Sequence, residues 1–374
     1  MKRIFISAGE HSGDQLGSHL YQQLKHQLPN LKAYGIGGHK MKNEGIELIE
    51  NSTKWSSIGA IETLKKLPYI ILAFQKIKKW LSNNKVDLFI AIDCRVLNEK
   101  LINHCYEQQT TCVYFTSPTK WWFYEKYQES LPIIKKLSHI YPSFQKEANF
   151  YDKLKVKKSY IGHPLKDILT KHPNKLESIN SPCIGLFPGS RGHEIKNLYP
   201  VLCKTALLLQ KKYPEYQFIT SIASKTHENL IKNIAKKYPL KNHILYKESS
   251  HHIIQKVHFS IACSGSISIE HILFNTPCII TYIAHPISAL ILNNRLKKIP
   301  FISWPNIFAN KKIIPEYIQA DVNTLNLSKQ AIHWIENKHE LNHCINELKN
   351  LQKQFGKNGC FKFIANHIHT NFLS

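Results

Sequence analysis

The chain has 374 residues, with 50 Lys+Arg against 26 Asp+Glu and a formal net charge of +24. Hydrophobic residues make up 43% and charged residues 20%, which excludes a disordered chain, and the length favours two domains over one. The charge points to an anionic partner, whether nucleic acid, an acidic lipid surface or phosphorylated substrates, although an A/T-rich genome rich in lysine and asparagine codons produces the same bias.

The opening Ile4-Phe5-Ile6 reads as a buried first strand, because the apolar run before Glu10 is too short for the core of a signal peptide. It runs into Ala8-Gly9-Glu10-His11-Ser12-Gly13-Asp14 and then a helix through Leu16, Leu20 and Leu24. Ala33 to Gly38 resembles a second strand opening into a glycine turn. Between Ile58 and Trp80, apolar residues recur at three- and four-residue spacing among lysines, so a basic amphipathic helix is expected there. Its membrane-facing candidates are Ile61, Leu64, Lys65, Lys66, Leu67, Ile71, Phe74 and Lys76; an ordinary packed helix with a lysine face fits equally. Val86 to Asp93 and Thr111 to Phe115 are further strands, and Tyr160 to His163 a shorter one.

A polar stretch from Lys171 to Ser181 then reads as a linker, and the organisation restarts. Cys183 to Phe187 is a new first strand, followed by Pro188-Gly189-Ser190-Arg191-Gly192 and a helix to Leu209. Strands follow at Phe218–Thr220, His258–Ala262 and Cys278–Thr281, and the pattern from Leu325 onward is helical. Two α/β units joined near residue 175 are expected. The nine cysteines contain no Cys-x-x-Cys pair and read as reduced thiols of a cytoplasmic protein. The 21 histidines are scattered, so neither a metal site nor a cofactor is expected.

In open parallel sheets, ligands sit beyond the carboxyl ends of the strands. Glycines there, leading into a helix, offer backbone N–H groups and the positive helix end to an anion, and Arg191 adds a planar cation. The Walker spacing is absent from this segment. Ser264-Gly265-Ser266 repeats the strand–turn–helix pattern, with Glu270 one turn into the helix, suited to a ribose; a helix cap with Glu270 as its partner is the other reading. Together these features favour a nucleotide-diphosphate donor. Glu10, His11, Asp14 and Asp93 are positioned to take a proton from an acceptor hydroxyl, while Ser12 and Asp14 equally suit helix capping.

Read together, these segments resemble the lipid-A-disaccharide synthase family, inverting glycosyltransferases of the GT-B type. The likeness is most specific at Leu186–Ile195, at Ser264-Gly265-Ser266 with Glu270, and from Trp304-Pro305-Asn306 to Gln319, with Gly162-His163-Pro164-Leu165 and Ser117-Pro118 adding to it. It implies two Rossmann-like domains with a cleft between them. Residues 1–170 would form the acceptor domain with the membrane patch, 171–348 the UDP-sugar donor domain, and 349–374 helices that cross back to the first domain. The implied reaction joins UDP-2,3-diacylglucosamine to 2,3-diacylglucosamine 1-phosphate (lipid X), without a metal, on the cytoplasmic face of the inner membrane. The resemblance makes Asp93 the preferred general base, with Glu10 and Arg191 also catalytic. It assigns Gly189, Ser190, Arg191, Ser264, Gly265, Ser266, Glu270 and Asn306 to the UDP donor. Gly9, His11, Ser12, Asp14, Asn98, Ser117 and Trp121 fall on the acceptor side. A homo-oligomer stays open, and nucleic acid is not expected.

Three places depart from the family pattern. The usual Ile-Asp-x-Pro-Asp/Glu-Phe-Asn reads Ile92-Asp93-Cys94-Arg95-Val96-Leu97-Asn98, Trp-x-Trp-Arg becomes Trp121-Trp122-Phe123-Tyr124, and Pro-Phe-Glu becomes Gln145-Lys146-Glu147. All lie in the acceptor half. Another UDP-sugar enzyme, such as a 2-epimerase or a peptidoglycan-precursor transferase, or a non-catalytic lipid-binding protein, fits the same motifs.

Overall fold

The computed structural model describes residues 1–52, 67–116, 131–170, 176, 181–283 and 300–374. They divide into two compact units, Met1–Ile168 with Phe355–Ser374, and Leu169–Gln354.

The first unit is built on a six-stranded parallel sheet ordered β3-β2-β1-β4-β5-β6. Its strands are β1 (Arg3–Ala8), β2 (Lys32–Gly37), β3 (Glu47–Asn51), β4 (Leu88–Ile92), β5 (Thr111–Phe115) and β6 (His139–Tyr141). Between them run α1 (His11–Gln27), α2 (His39–Asn43), α3 (Leu67–Asn83), α4 (Arg95–Glu107) and α5 (Leu131–Ile134). After β6 come α6 (Gln145–Lys153) and α7 (Pro164–Thr170). The central strands are apolar throughout because both faces are covered. Ile4, Ile6, Leu88, Ile90 and Ile92 pack on one face with Leu16, Leu20 and Leu24 of α1. The alternate residues Phe5, Phe89, Ala91 and Tyr114 pack on the other with Ile77 and Leu81 of α3 and Leu101 and Ile102 of α4.

The second unit repeats this plan with β7 (Cys183–Phe187), β8 (Gln217–Ser221), β9 (His243–Tyr246), β10 (Phe259–Cys263), β11 (Cys278–Tyr282) and β12 (Glu316–Ile318). Its order, β12-β11-β10-β7-β8-β9, is the same doubly wound order read from the other edge. The helices are α8 (Gly192–Lys212), α9 (Glu228–Lys237), α10 (Ser250–Ile254), α11 (Ile267–Phe274), α12 (Trp304–Ala309), α13 (Thr324–Glu336) and α14 (Lys338–Gln352).

The chain returns to the first unit at Phe355, so α14 lies wholly in the second unit and only residues beyond it cross back. Tyr160 to His163 is not a strand: Gly162 makes an isolated antiparallel bridge with Gly356 of the returning chain. A Cβ at Gly162 would sit 2.1 Å from the Lys357 carbonyl oxygen, so only glycine permits this approach. Asp167 of α7 then accepts from the backbone N–H of Gly359 (2.6 Å) and Phe361 (3.1 Å), capping α15 (Cys360–Ile368). Phe361, Ile364 and Ile368 of α15 join the α1 face of the core.

Candidate active site

In the first sheet the order reverses between β1 and β4, and the residues following those two strands converge. Gly9 has no room for a side chain, because its Cβ would lie 2.3 Å from Cys94 Sγ. Asp93 and Cys94 both take left-handed backbone conformations, φ 49° and 39°. The Asp93 N–H donates to Thr116 Oγ1 (3.1 Å), and its carbonyl accepts from Asn98 Nδ2 (2.7 Å) and Tyr114 Oη (2.5 Å). Ser12 Oγ, in the first turn of α1, donates to Asp93 Oδ2 (3.3 Å). Burial, and then the charges of Glu10 and Asp93, push the Cys94 thiol up to about 12. It therefore stays protonated and does not compete as a nucleophile.

Two acceptor-side residues take other work. Asp14 is buried and accepts from the N–H groups of Gly38 (2.6 Å), Lys40 (3.1 Å) and Met41 (3.0 Å), tying α1 to the turn after β2. Asn98 is buried as well, accepting from Ser7 Oγ (2.6 Å) and donating to the Ile92 and Asp93 carbonyls. The polar atoms of both, expected on the acceptor side, are hydrogen-bonded inside the fold, where they support the turns around the first switch point. Ser117 and Trp121 lie outside the described residues, and so does the side chain of His11. Glu147 keeps a clear use, capping α6 through the Ser143 N–H (2.9 Å) and Phe144 N–H (3.3 Å).

On α3, Ile71 and Leu72 are 47% and 63% exposed, and Lys78 and Lys79 are exposed beside them. Phe74 instead packs against the core, with Lys100 Nζ 5.8 Å from its ring centre, so it is no free membrane contact. Lys76 pairs with Glu50 at 3.2 Å. Burial alone would raise the Glu50 carboxyl, but hydrogen bonds from Tyr69 and Lys76 outweigh it and hold it below its ordinary value. Ile61, Leu64, Lys65 and Lys66 lie outside the described residues, with the side chain of Leu67.

The second sheet reverses between β7 and β10. Gly189 has φ 101°, and a Cβ there would lie 2.5 Å from Glu194 Oε2. Glu194 accepts from the N–H groups of Ser190 and Arg191, both at 3.1 Å, and its other oxygen accepts from Arg191 Nη1 at 3.3 Å. The expected open nest of N–H groups is thus partly filled, because the Arg191-x-x-Glu194 spacing makes a capping box. The first-turn N–H groups of Gly192 and His193 have no helical acceptor. Arg191 is half-exposed and offers its remaining guanidinium donors beside them. A Cβ on Gly192 would meet His227 Cε1 at 3.3 Å, which sets that imidazole, unremarked in the sequence, against the start of α8.

Gly265 is exposed, with nothing within 4 Å of where its side chain would point. Ser266 makes no cap bond, Ser264 Oγ donates to Ile302 O (3.4 Å), and Ser268 Oγ donates to Gly265 O (2.9 Å). Glu270 accepts from Ser250 Oγ (2.7 Å), a partner from α10 that no local pattern foretells. Burial raises its carboxyl to about 7, against the opposing effect of that bond.

Asn306, expected among the UDP-donor residues, is engaged inside the fold. It is fully buried, its Nδ2 donating to Ile314 O (3.0 Å) and Glu316 Oε1 (2.8 Å), its Oδ1 accepting from Ile313 N and Ile314 N. With both donors and both lone pairs engaged, it holds the loop from α12 to β12. Glu316 fixes the start of α12 in the same way, accepting from the N–H groups of Ile302 (3.0 Å) and Ser303 (2.9 Å).

Two doubly wound parallel sheets, each gathering its polar residues at the switch point, define the GT-B class of sugar-nucleotide enzymes. The fold is shared with a UDP-GlcNAc 2-epimerase from Neisseria meningitidis solved bound to UDP-GlcNAc (TM-score 0.64, 13% identity, 99% of this chain and 100% of that one). It is also shared with the glycotransferase of kitacinnamycin (TM-score 0.63, 12% identity, 99% of each chain). Within that class the chain belongs to the lipid-A-disaccharide synthetase family, whose profile it matches over residues 4–363. A lipid-A-disaccharide synthase of Coxiella burnetii (strain CbuK_Q154) is 28% identical over 381 residues, 100% of this chain and 99% of the relative.

Proposed function

We propose that the chain performs its family's reaction, with its two switch points as the acceptor and donor halves. The activity is glycosyl transfer: the diacylglucosamine of UDP-2,3-diacylglucosamine passes to lipid X, giving the β-1,6 disaccharide 1-phosphate and UDP. Asp93 takes the proton from the acceptor 6-hydroxyl, whose oxygen forms a bond to C1 of the donor sugar as the bond from C1 to the diphosphate oxygen breaks. One displacement inverts C1. The electron pair of the broken bond leaves on UDP, whose charge Arg191 and the first turn of α8 stabilise. The observation that carries the reading is the backbone clamp on Asp93 in a left-handed conformation at the first switch point. UDP release that requires both lipid substrates in detergent micelles supports the reading; UDP release from the donor alone, or none, contradicts it.

Glu270 holds the ribose by accepting both hydroxyls, which requires the ionised carboxylate. With its value raised to about 7, ligand-free protein is half neutral at neutral pH, so UDP binding releases a proton and strengthens as pH rises. Calorimetry is expected to show UDP binding up to roughly tenfold weaker at pH 6 than at pH 8. Glu270→Gln should flatten that dependence to the part due to UDP's own phosphate.

The exposed Ile71 and Leu72, with Lys78 and Lys79, support peripheral contact with an anionic bilayer. Among the described residues no helix is long and apolar enough to cross a membrane. Ile71→Ser with Leu72→Ser is expected to weaken binding to anionic vesicles by roughly tenfold or more. Unchanged co-sedimentation would contradict this assignment of α3.

A further inference from the structure

The clamp on Asp93 contains two residues that no motif identifies, Tyr114 and Thr116, both from the end of β5. Three non-glycine residues with positive φ meet here: Asp93 (49°), Cys94 (39°) and Thr116 (75°). For a β-branched residue such as Thr116 this backbone is unfavourable and persists only where its surroundings impose it. Tyr114 is fully buried in the core between sheet and helices, and its hydroxyl reaches one acceptor, the Asp93 carbonyl at 2.5 Å. Thr116 Oγ1 receives the Asp93 N–H at 3.1 Å, and the Thr116 N–H is itself held by the Tyr141 carbonyl at 2.9 Å.

We infer that Tyr114 and Thr116 are positioning residues: β5 grips residue 93 on both sides of its Cα and thereby sets the direction of its carboxylate. This rests on the reading of Asp93 as the general base. The physical reason is that Asp93 lies just beyond β4, where the ladder no longer fixes its peptide planes. Its N–H and C=O need other partners, and with only the carbonyl held, by Asn98, rotation about φ is free to turn the side chain away from Ser12. Tyr114 and Asn98 together fix the plane after the Cα, and Thr116 the plane before it. Burial, and then the charge of Asp93, keep the phenol well above its ordinary value, so it remains a donor through the working pH range.

Tyr114→Phe removes one hydroxyl and keeps the ring. It is expected to lower kcat by on the order of 10–100-fold while KM for both lipids stays within about twofold. Thr116→Val should do the same, and Thr116→Ser should restore kcat, since it returns the acceptor. Tyr21→Phe removes another buried hydroxyl, one that donates to the Leu31 carbonyl at 3.3 Å and has no part in the clamp. It should lower the melting temperature and leave kcat unchanged. Wild-type kcat in Tyr114→Phe, or equal kcat in the Val and Ser variants of Thr116, overturns the inference even if Asp93→Ala is inactive. Full activity of Asp93→Ala overturns instead the reading on which it rests. Should Tyr114→Phe fail to fold, the Thr116 pair decides alone.

Discussion

Asp93→Ala is expected to lower kcat for disaccharide formation by roughly 10²–10⁴-fold, the usual contribution of a general base. KM for the two lipids should change little, because in the proposed function the carboxylate acts on a proton and does not hold a headgroup. The fold should survive, since the clamp seizes the backbone of residue 93, while among the described residues its carboxylate takes one hydrogen bond, from Ser12. Asp93→Asn separates charge from shape: it keeps the outline, cannot accept the proton, and should be as slow as the alanine variant. Activity in Asp93→Asn near wild type would move the base to Glu10, the other carboxylate whose charge reaches Cys94.

Arg191→Ala is expected to cost about 10²–10³-fold in kcat, the order seen when one preorganised donor to a developing anion is removed. The structure adds a sharper expectation. Glu194 is neutralised by Arg191 at 3.3 Å and sits beside the N–H groups at the start of α8. Without the guanidinium its carboxylate loses its cation partner at the helix start where, on the proposed function, UDP departs. Glu194→Gln added to Arg191→Ala should therefore recover part of the loss, while Glu194→Gln alone leaves the cation in place and costs less than Arg191→Ala. Strict additivity of the two changes would show that the pair does not act together.

The central strands were legible because burial on both faces writes them as apolar runs: β1, β4, β5, β7, β10 and β11 all coincide with stretches that the sequence marks. The outer strands β3, β9 and β12, Glu47–Asn51, His243–Tyr246 and Glu316–Ile318, are short and half-exposed, so they carry no such run. Short β6, His139–Tyr141, is fully buried yet too brief to show a period. The positions of Gly9, Glu10, Asp93 and Arg191 just beyond strand ends, and of Glu270 one turn into the helix that follows, were readable from strand–turn–helix order alone. Their partners were not: Tyr114, Thr116 and Ser250 arrive from elements distant in the chain, with no local spacing to announce them. Polar residue type was also ambiguous about role. Asp14, Asn98 and Asn306 look like ligands in a motif, but their buried polar atoms are hydrogen-bonded inside the fold. The Arg191-x-x-Glu194 spacing was a visible capping signal masked by the glycines before it.

The most direct measurement incubates the wild-type chain with UDP-2,3-diacylglucosamine and lipid X in detergent micelles. The product is read by mass spectrometry and its new linkage by proton NMR. The expected product is the tetra-acyl disaccharide 1-phosphate with a β-1,6 bond, lost in Asp93→Ala and Arg191→Ala. An α-linked disaccharide, a C2-epimerised sugar nucleotide, or unchanged lipids with active donor and acceptor present would contradict it.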